Sequence, residues 1–197
     1  MGCLQMNQIL DLDITKVAVP LQLPIFCCDL KSYENELQLA KEAVYELQIS
    51  HPESTPSNVK ATYSSSYKSH LLNPKLLPLT ELVMKIAKKV SKETLSCDLD
   101  AVNVGLFIAD CWCAVYEKSD ETIPHNHFPS DFSAVVYLEA EPQSAPIIFA
   151  NSILVKPIPG SLVLFPGLLN HHVPPTEARR VVVAMNIFKV PRVTEPK

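Results

Sequence analysis

The sequence predicts a mainly β protein with flanking helices, in which antiparallel strands form a sandwich or a closed barrel. Three observations favour this fold class. The second half alternates short apolar segments with turns that contain Pro and Gly, a pattern typical of antiparallel strands. The first half contains two segments with the helical spacing of apolar residues. Because short antiparallel strands must bury one face, we expect the helices to pack against one outer sheet.

Length and charge limit the organisation and the class of function. A chain of 197 residues is long enough for one domain with a real core and too short for two full domains. We therefore expect a single domain over 1–197, with a mixed α/β part at about 1–100 and a β core at about 101–192. The net charge of −4 and the absence of a long Lys/Arg run make extended nucleic-acid binding an unfavourable interpretation.

The same composition bears on localisation. No uninterrupted apolar window of about 18 residues occurs, so no membrane span is expected. The N-terminus has no positive region followed by an apolar one, which favours a cytoplasmic protein. Six cysteines in such a protein are expected to be reduced and mostly buried. The oligomeric state is open, and a homodimer is one option.

The N-terminal half combines edge strands, helices and loops. Residues 14–29 are apolar but interrupted by Pro20 and Pro24, which fits edge strands. Residues 51–58 are rich in helix breakers and form a loop. The polar run 63–70 either lines a substrate cleft or is a loop, and serine clusters are more typical of loops. The helical segments are 33–47, with Leu37, Ala40, Ala43, Val44 and Leu47 on one face, and a second one capped by Thr80 and carrying Leu82, Ile86 and Val90.

The C-terminal half is predicted to contain strands and every candidate ligand. Alternating apolar segments joined by Pro- and Gly-containing turns mark each strand. The five predicted strands are 102–116, 132–139, 146–150, 161–165 and 180–190.

A pair of histidines separated by one residue suggests a metal site. His125 and His127 project from the same side of an extended backbone, because side chains alternate with period two. His171, in a later turn, is the third candidate. Imidazole is the usual nitrogen donor for iron, zinc, copper or nickel. His172 points away from His171 if the segment is extended, so we do not expect it to be a ligand.

A wider set of motifs surrounds these histidines. It comprises His125-Asn126-His127-Phe128-Pro129, the strand 132–138, the segment 159–166, His171-His172-Val173, and Arg180 six residues before Asn186. Together these motifs resemble the Fe(II)/2-oxoglutarate-dependent oxygenases of phages and bacteria, over roughly residues 105–190.

The resemblance implies a fold and a chemistry. The fold would be a double-stranded β-helix, or jelly roll, braced by the N-terminal helices. Fe(II) would be held by His125, His127 and His171, leaving positions for 2-oxoglutarate and O₂. Arg180 would bind the distal carboxylate of 2-oxoglutarate, whereas Arg179 would face the other way as a surface charge. The products would be succinate, CO₂ and a hydroxylated primary substrate of unknown identity.

The chain departs from the larger superfamily at two positions. His127 stands where most members have Asp, so either three imidazoles bind the metal or Asp131 supplies a carboxylate. Asp131 could instead hold a ring N–H of a ligand. Val182 stands where a hydroxyl usually contacts 2-oxoglutarate, and Tyr116, Ser133 or Tyr137 are the candidate replacements.

A metal-binding cupin is the closest alternative, as a dioxygenase, an isomerase or a binding module on a similar barrel. Its first motif is matched by the two histidines and Asp131, and its second by Gly160, Pro166 and His171. Two positions differ: Ser119 replaces an expected Gly, and Pro175 an expected Asn. A cupin also has no general need for Arg180. A metal-free jelly-roll binding protein is the third hypothesis.

The sequence leaves the primary substrate open among protein side chains, nucleobases, sugars and small metabolites. We expect loops 51–74 and 117–124 to shape the entrance to the site, because binding residues are often placed on loops over a rigid scaffold.

Overall fold

The computed structural model describes residues 22–192 and consists of two antiparallel sheets with helices on one side. The helices are α1 (Glu34–Ser50), α2 (Ser69–Leu72) and α3 (Leu77–Glu93), with a 3₁₀ turn at Pro74–Leu76. The strands are β1 (Phe26–Asp29), β2 (Val59–Lys60), β3 (Tyr63–Ser64), β4 (Val104–Tyr116), β5 (Glu121–His125), β6 (Phe132–Ala140), β7 (Ile147–Phe149), β8 (Ile153–Val155), β9 (Ser161–Pro166), β10 (His171–Val173) and β11 (Arg180–Pro191).

The strand order confirms the predicted fold class. The larger sheet has six strands in the order β1-β9-β6-β11-β4-β3, and the smaller has five in the order β2-β5-β10-β7-β8. All five predicted strands are present, as β4, β6, β7, β9 and β11. Strand β1 is an edge strand, as expected for 14–29, although residues 14–21 lie outside the described part of the chain.

The central strand β11 separates two apolar layers. Its odd-numbered residues Val181, Val183 and Met185 join a core with α1 and α3. Its even-numbered residue Val182 joins a second core between the sheets. Since side chains alternate along a strand, Arg180 is also directed between the sheets. The helices therefore brace the outer side of the larger sheet, as predicted, and leave its inner side for the site.

The helical predictions are confirmed except for one boundary. In α1, Ala40, Ala43, Val44 and Leu47 are buried, as expected for the apolar face. Helix α3 begins at Leu77 rather than after Thr80, and the Thr80 hydroxyl donates to the carbonyl of Leu77 from inside the helix. The prediction that Thr80 caps the helix is therefore wrong. Pro78 lies in the first turn, where its fixed φ favours an earlier start.

The polar run 63–70 is not the loop that its serines favoured. It forms β3, the start of α2, and a connection hydrogen-bonded to β4. The backbone N–H of Ser65 donates to Cys113 O at 2.9 Å, and the N–H of Cys111 donates to Tyr67 O at 2.7 Å. The Ser65 hydroxyl accepts from the Cys113 N–H at 2.8 Å. These bonds extend the larger sheet and fix Tyr67 beside β4.

The structure bears on two predictions from composition, one on the cysteines and one on membrane spans. The five cysteines in residues 22–192 are free, but only Cys111 and Cys113 are buried, while Cys27 is exposed. The expectation that the cysteines are mostly buried is therefore wrong for this part of the chain. Within the same residues, no helix combines the length and apolar character needed to cross a membrane.

Candidate metal centre

The fold brings three histidines together at one end of the smaller sheet. His125 ends β5 and is the register partner of His171, which begins β10. His127 follows two residues after β5, and its backbone N–H donates to Gly167 O at 2.7 Å. The ring centroids are 4.4 Å apart for His125 and His171, 4.8 Å for His125 and His127, and 5.0 Å for His127 and His171. One candidate ligand atom from each ring lies within 4.8 Å of the others.

Backbone carbonyls orient two of these rings. Nδ1 of His125 lies 2.8 Å from Ile123 O, and Nδ1 of His171 lies 2.9 Å from Leu169 O. A carbonyl oxygen can only accept, so Nδ1 carries the proton and Nε2 keeps its lone pair. A fixed N–H on the far side of the ring is the usual arrangement around a metal-binding histidine. Together with His127, these two rings form a set of three imidazole donors that fits a transition metal.

The three rings are held in the neutral form that can bind a metal. Burial lowers the pKa of His127 to about 3, and the neighbouring imidazoles of His171 and His125 act in the same direction. Burial also lowers the pKa of His171 to about 4 and moves the pKa of His125 below its usual value. Near neutral pH no proton competes for the ring nitrogens.

Asp131 and His172 lie outside this group. Oδ2 of Asp131 accepts from the backbone N–H of Lys189 at 2.7 Å, and its Oδ1 lies 3.3 Å from Lys189 Nζ. His172 is the register partner of Ile148 on β7. Because side chains alternate along a strand, it faces the opposite side of β10 from His171. In residues 22–192, the group that could hold a metal contains the three histidines alone. The geometry thus favours the three-imidazole alternative over a carboxylate from Asp131.

Arg180 lines the same cavity as the histidines, which we call the inner cavity. It pairs with Ala140 at the end of β6, whereas His127 precedes the start of β6, so Arg180 lies at the far end from the histidines. It is only 2% exposed. Its Nη1 donates to Ala145 O at 3.0 Å, and its guanidinium carbon lies 4.1 Å from the centroid of the Tyr116 ring. Within residues 22–192, Nε has no hydrogen-bond partner and no salt bridge involves this side chain. Among the described residues, this buried cation therefore has no anionic partner.

The three candidate hydroxyls line the same cavity but differ in their partners. The Tyr116 hydroxyl is 2.7 Å from Thr122 Oγ1, and the Ser133 hydroxyl donates to Asn186 Oδ1 at 2.9 Å. Burial raises the pKa of Tyr137 to about 12, despite the nearby positive charge of Arg180. Tyr137 is thus a neutral phenol beside the guanidinium, and it is the candidate best placed to donate to a shared anion.

Arg179 faces the other side of the larger sheet, as predicted, but it is more than a surface charge. Its Nε donates to Glu117 at 2.9 Å and its Nη1 to Glu139 at 2.9 Å. Its Nη2 lies 3.2 Å from the hydroxyl of Tyr45, on helix α1. The expectation of a simple surface charge was incomplete because α1 packs over this position.

A second depression, which we call the outer cleft, adjoins the histidines. It was not predicted residue by residue, although Asn58 and Tyr67 come from the predicted entrance segment 51–74. The alternation that identifies Arg180 would also have placed Asn186 on the inner face of β11. Beside His125 and His127, the outer cleft is lined by aromatic and polar side chains: Tyr67, Asp110, Trp112, Phe128, Asn186 and Phe188.

Comparisons with known proteins give similarity at the level of structure. No family model matches the sequence, and no curated protein matches it. A prolyl hydroxylase from Trichoplax adhaerens, solved with a hypoxia inducible factor peptide fragment, is similar with a TM-score of 0.61 and 15% identity, over 83% of each chain. The viral collagen prolyl hydroxylase of Paramecium Bursaria Chlorella virus-1, a 2-oxoglutarate complex, gives 0.56 and 15% over 83% of this chain and 94% of that one.

A third similar structure is that of an enzyme with a different activity. The non-heme alpha-ketoglutarate-dependent epimerase SnoN from nogalamycin biosynthesis has a TM-score of 0.63 and 13% identity, over 86% of this chain and 80% of that one. At such identities the similarity concerns the fold. The chain therefore has the double-stranded β-helix fold of the iron- and 2-oxoglutarate-dependent oxygenases.

Proposed function

We propose that this protein is an Fe(II)- and 2-oxoglutarate-dependent oxygenase that hydroxylates a primary substrate and releases succinate and CO₂. The observation that carries the proposal is the inner cavity, which has three neutral imidazoles at one end and a buried, unpaired guanidinium at the other. A metal needs the first feature, and a dicarboxylate that also binds the metal needs the second.

His125, His127 and His171 are the proposed ligands. Three protein ligands leave positions for a bidentate co-substrate and for O₂. When bound, Fe(II) would supply the activation of O₂, which is the oxidant, and 2-oxoglutarate would supply two electrons through its decarboxylation to succinate, for hydroxylation of a C–H bond. The backbone carbonyls that accept from Nδ1 of His125 and His171 would leave Nε2 free to bind the metal.

Arg180 and Tyr137 are the proposed groups for the distal carboxylate. An isolated buried charge is unfavourable, so an incoming carboxylate would stabilise the guanidinium while gaining a charge-assisted hydrogen bond. The Tyr116 ring and the Ala145 carbonyl fix the guanidinium before the ligand arrives. Tyr137 keeps its proton because its pKa is about 12, and can donate it in a hydrogen bond. Apolar side chains line the rest of the inner cavity, among them Val135, Val182 and Ala184, while Phe165 packs at the histidine end, with its ring centroid 4.8 Å from that of His171.

A metal-binding cupin would use the same three histidines but would not need Arg180. This difference separates the two functions experimentally. In a cupin, replacement of Arg180 should leave metal-dependent behaviour intact and 2-oxoglutarate should have no effect on it.

The single tryptophan of the chain is a built-in reporter for the first test. The Trp112 ring centroid is 5.7 Å from that of His127, so a paramagnetic ion at the histidines should quench its fluorescence. We expect saturable quenching by Co(II) or anaerobic Fe(II), and O₂-dependent succinate release when 2-oxoglutarate is added to the Fe(II)-loaded protein. Wild-type protein that binds the metal but forms no succinate with any extract or peptide tested would contradict the oxygenase and favour the cupin.

A further inference from the structure

Among the described residues, the outer cleft is lined by one acidic side chain, Asp110, and by no Lys or Arg, whereas the inner cavity is lined by Arg180 and by no Asp or Glu. We propose that the outer cleft binds a nitrogen cation, a primary or alkylated ammonium group, of the primary substrate. The link between this cation and hydroxylation rests on the proposed function, whereas its binding does not. The proposal is carried by an aromatic enclosure, by one acidic side chain, and by an ammonium group already paired with that acid.

Aromatic rings form much of the enclosure. Tyr67, Trp112, Phe128 and Phe188 line the cleft. The rings of Tyr67 and Trp112 meet edge to face with centroids 5.4 Å apart, and Phe128 is 76% exposed at the rim. Ring faces attract ammonium groups, and enclosures of several rings are a recurrent way of binding alkylated ones.

Asp110 supplies the charge. Apart from the histidines and the phenol of Tyr67, it is the only ionisable side chain within residues 22–192 that lines the cleft, and no Lys or Arg of this part of the chain does so. Its Oδ2 accepts from Asn186 Nδ2 at 3.2 Å, which fixes the carboxylate against β11. Each carboxylate oxygen can accept a further hydrogen bond, so the group can take a cation without losing Asn186.

Lys68 shows that this carboxylate accepts an ammonium group. Its Nζ lies 3.1 Å from Asp110 Oδ1 and also donates to Ala109 O. The Lys68 side chain is 54% exposed and does not line the cleft. Exposed ion pairs of this kind are weak, so a cation enclosed by the rings can share or replace the contact. Lys68 should therefore act as a competitor.

The two sides of the histidine group thus select different ligands. Arg180, without a carboxylate partner among residues 22–192, favours an anion in the inner cavity. Asp110 disfavours an anion in the outer cleft by like-charge repulsion. A substrate entering from the outer side would be cationic at the end nearest the metal.

The direct test compares three probes of similar shape and different charge: choline, its uncharged isostere 3,3-dimethylbutan-1-ol, and the anion 3,3-dimethylbutanoate. Binding to the full chain is followed by Trp112 fluorescence, without metal and with Zn(II). We expect choline to bind about tenfold more tightly than the alcohol, as cation–π and carboxylate contacts together allow, and the anion to bind most weakly. Equal affinity for choline and the alcohol, or preference for the anion, would overturn the proposal.

Two substitutions should act in opposite directions. Asp110→Asn should reduce the preference for choline over the alcohol, because only the cation–π contacts remain, whereas Lys68→Gln should increase choline affinity. Asp98→Asn is the matched control, because Asp98 pairs with Lys92 at 2.8 Å and has a similar side-chain exposure, 35% against 30%. A decrease on Lys68→Gln, or no change on Asp110→Asn in protein with unaltered thermal unfolding, would contradict the inference.

The source of the cation can be assigned with the same signal. N-acetyl-lysine N-methylamide and n-butylamine share a primary ammonium group, but only the first carries peptide groups. Tighter binding of the blocked lysine would indicate a protein side chain, and equal binding a free amine. If choline binds and neither primary amine competes with it, the site would be assigned to an alkylated ammonium group; if none of the three cations binds, the ammonium site would be contradicted. Because the metal-free protein is included, failure at the histidines and failure at Asp110 remain distinguishable.

Discussion

The two adjacent arginines at the start of β11 face opposite sides of the larger sheet and have opposite surroundings. Arg179 reaches Glu117, Glu139 and Tyr45 on the helical side. Arg180 is 2% exposed on the inner side and has a carbonyl and an aromatic ring as its neighbours. Arg179 on the helical side is thus paired with acidic residues of the chain, whereas Arg180 on the inner side offers its positive charge to a ligand.

This contrast has an energetic meaning. A partly exposed ion pair contributes about 0–1 kcal/mol to folding, whereas a buried charge without a partner lowers stability by several kcal/mol. Inner-face substitutions should therefore reduce ligand binding without reducing stability, and helical-side substitutions should do the reverse.

The largest effect is expected at the histidines. His125→Ala with His127→Ala removes two of three ligands and should weaken metal binding by more than about 100-fold, the upper range for loss of a ligand's supporting contact alone. Metal content and Trp112 quenching measure this. His172→Ala is the matched control, since it removes an adjacent imidazole outside the group. Equal metal binding by the double variant and the wild type would contradict the site.

Arg180→Met should give the next largest effect. Loss of a charge-assisted hydrogen bond should weaken 2-oxoglutarate binding by about 10- to 100-fold, or about 1.5–3 kcal/mol. The midpoint of thermal unfolding should stay the same or rise, because an unpaired buried charge is removed. Calorimetric titration measures the affinity for 2-oxoglutarate, and thermal unfolding measures the stability of the variant. A large loss of stability with unchanged affinity would indicate that Arg180 stabilises the fold and does not bind the ligand.

Gly167→Ala should affect stability and the metal site together. A Cβ at Gly167 would lie 2.3 Å from Ser130 O and 2.9 Å from its carbonyl carbon, and Gly167 O also accepts from His127 N–H. We expect a destabilisation of about 1–3 kcal/mol from overpacking, with weaker metal binding. Gly105→Ala is the control, since its nearest contact would be an ordinary 3.6 Å. If the two variants unfold at similar urea concentrations, the close approach of Gly167 to Ser130 does not constrain the fold as we expect.

Arg179→Met should give the smallest effect. We expect a loss of about 0–1 kcal/mol in the free energy of unfolding, with 2-oxoglutarate affinity unchanged. A weaker affinity in this variant, at constant metal content, would contradict the division between the two faces.

The pH dependence sharpens the same comparison. Burial alone would raise the pKa of Glu139, but hydrogen bonds from Lys41 and Tyr45 and the charge of Arg179 outweigh it and lower the pKa below 4.5. A lowered pKa stabilises the fold above the unfolded value, and this stability is lost as the pH falls through the folded value. Below about pH 4.5 the wild type should therefore lose stability more steeply than Arg179→Met, as measured by urea unfolding. Parallel curves would show that Glu139 is not coupled to Arg179.

Much of the fold could be predicted from sequence because its long strands alternate regularly. The strands β5 and β10 were missed, since they have five and three residues, and β5 includes Pro124. The histidine group was predicted because a His-x-His pair already shares one side of the chain. The proximity of Tyr67 and Asp110 at the entrance could not be predicted, because it depends on pairing between segments far apart in sequence.

Local sequence likewise could not reveal which arginine lacks a partner. Period-two alternation predicts that Arg179 and Arg180 face opposite sides of the sheet. Whether acidic residues lie near either one depends on the packing of α1 and on the register of β6 with β11. The same limit applies to Asp131, whose spacing from His127 suits a ligand although the fold pairs it with Lys189.

The most direct measurement is an anaerobic titration of Fe(II)-loaded protein with 2-oxoglutarate, followed by the visible charge-transfer absorption of the chelated complex. The three imidazoles and Arg180 predict a saturable band in the wild type, and in Arg180→Met a midpoint at least about tenfold higher. No band in iron-loaded wild-type protein, or the same midpoint in both proteins, would contradict the account.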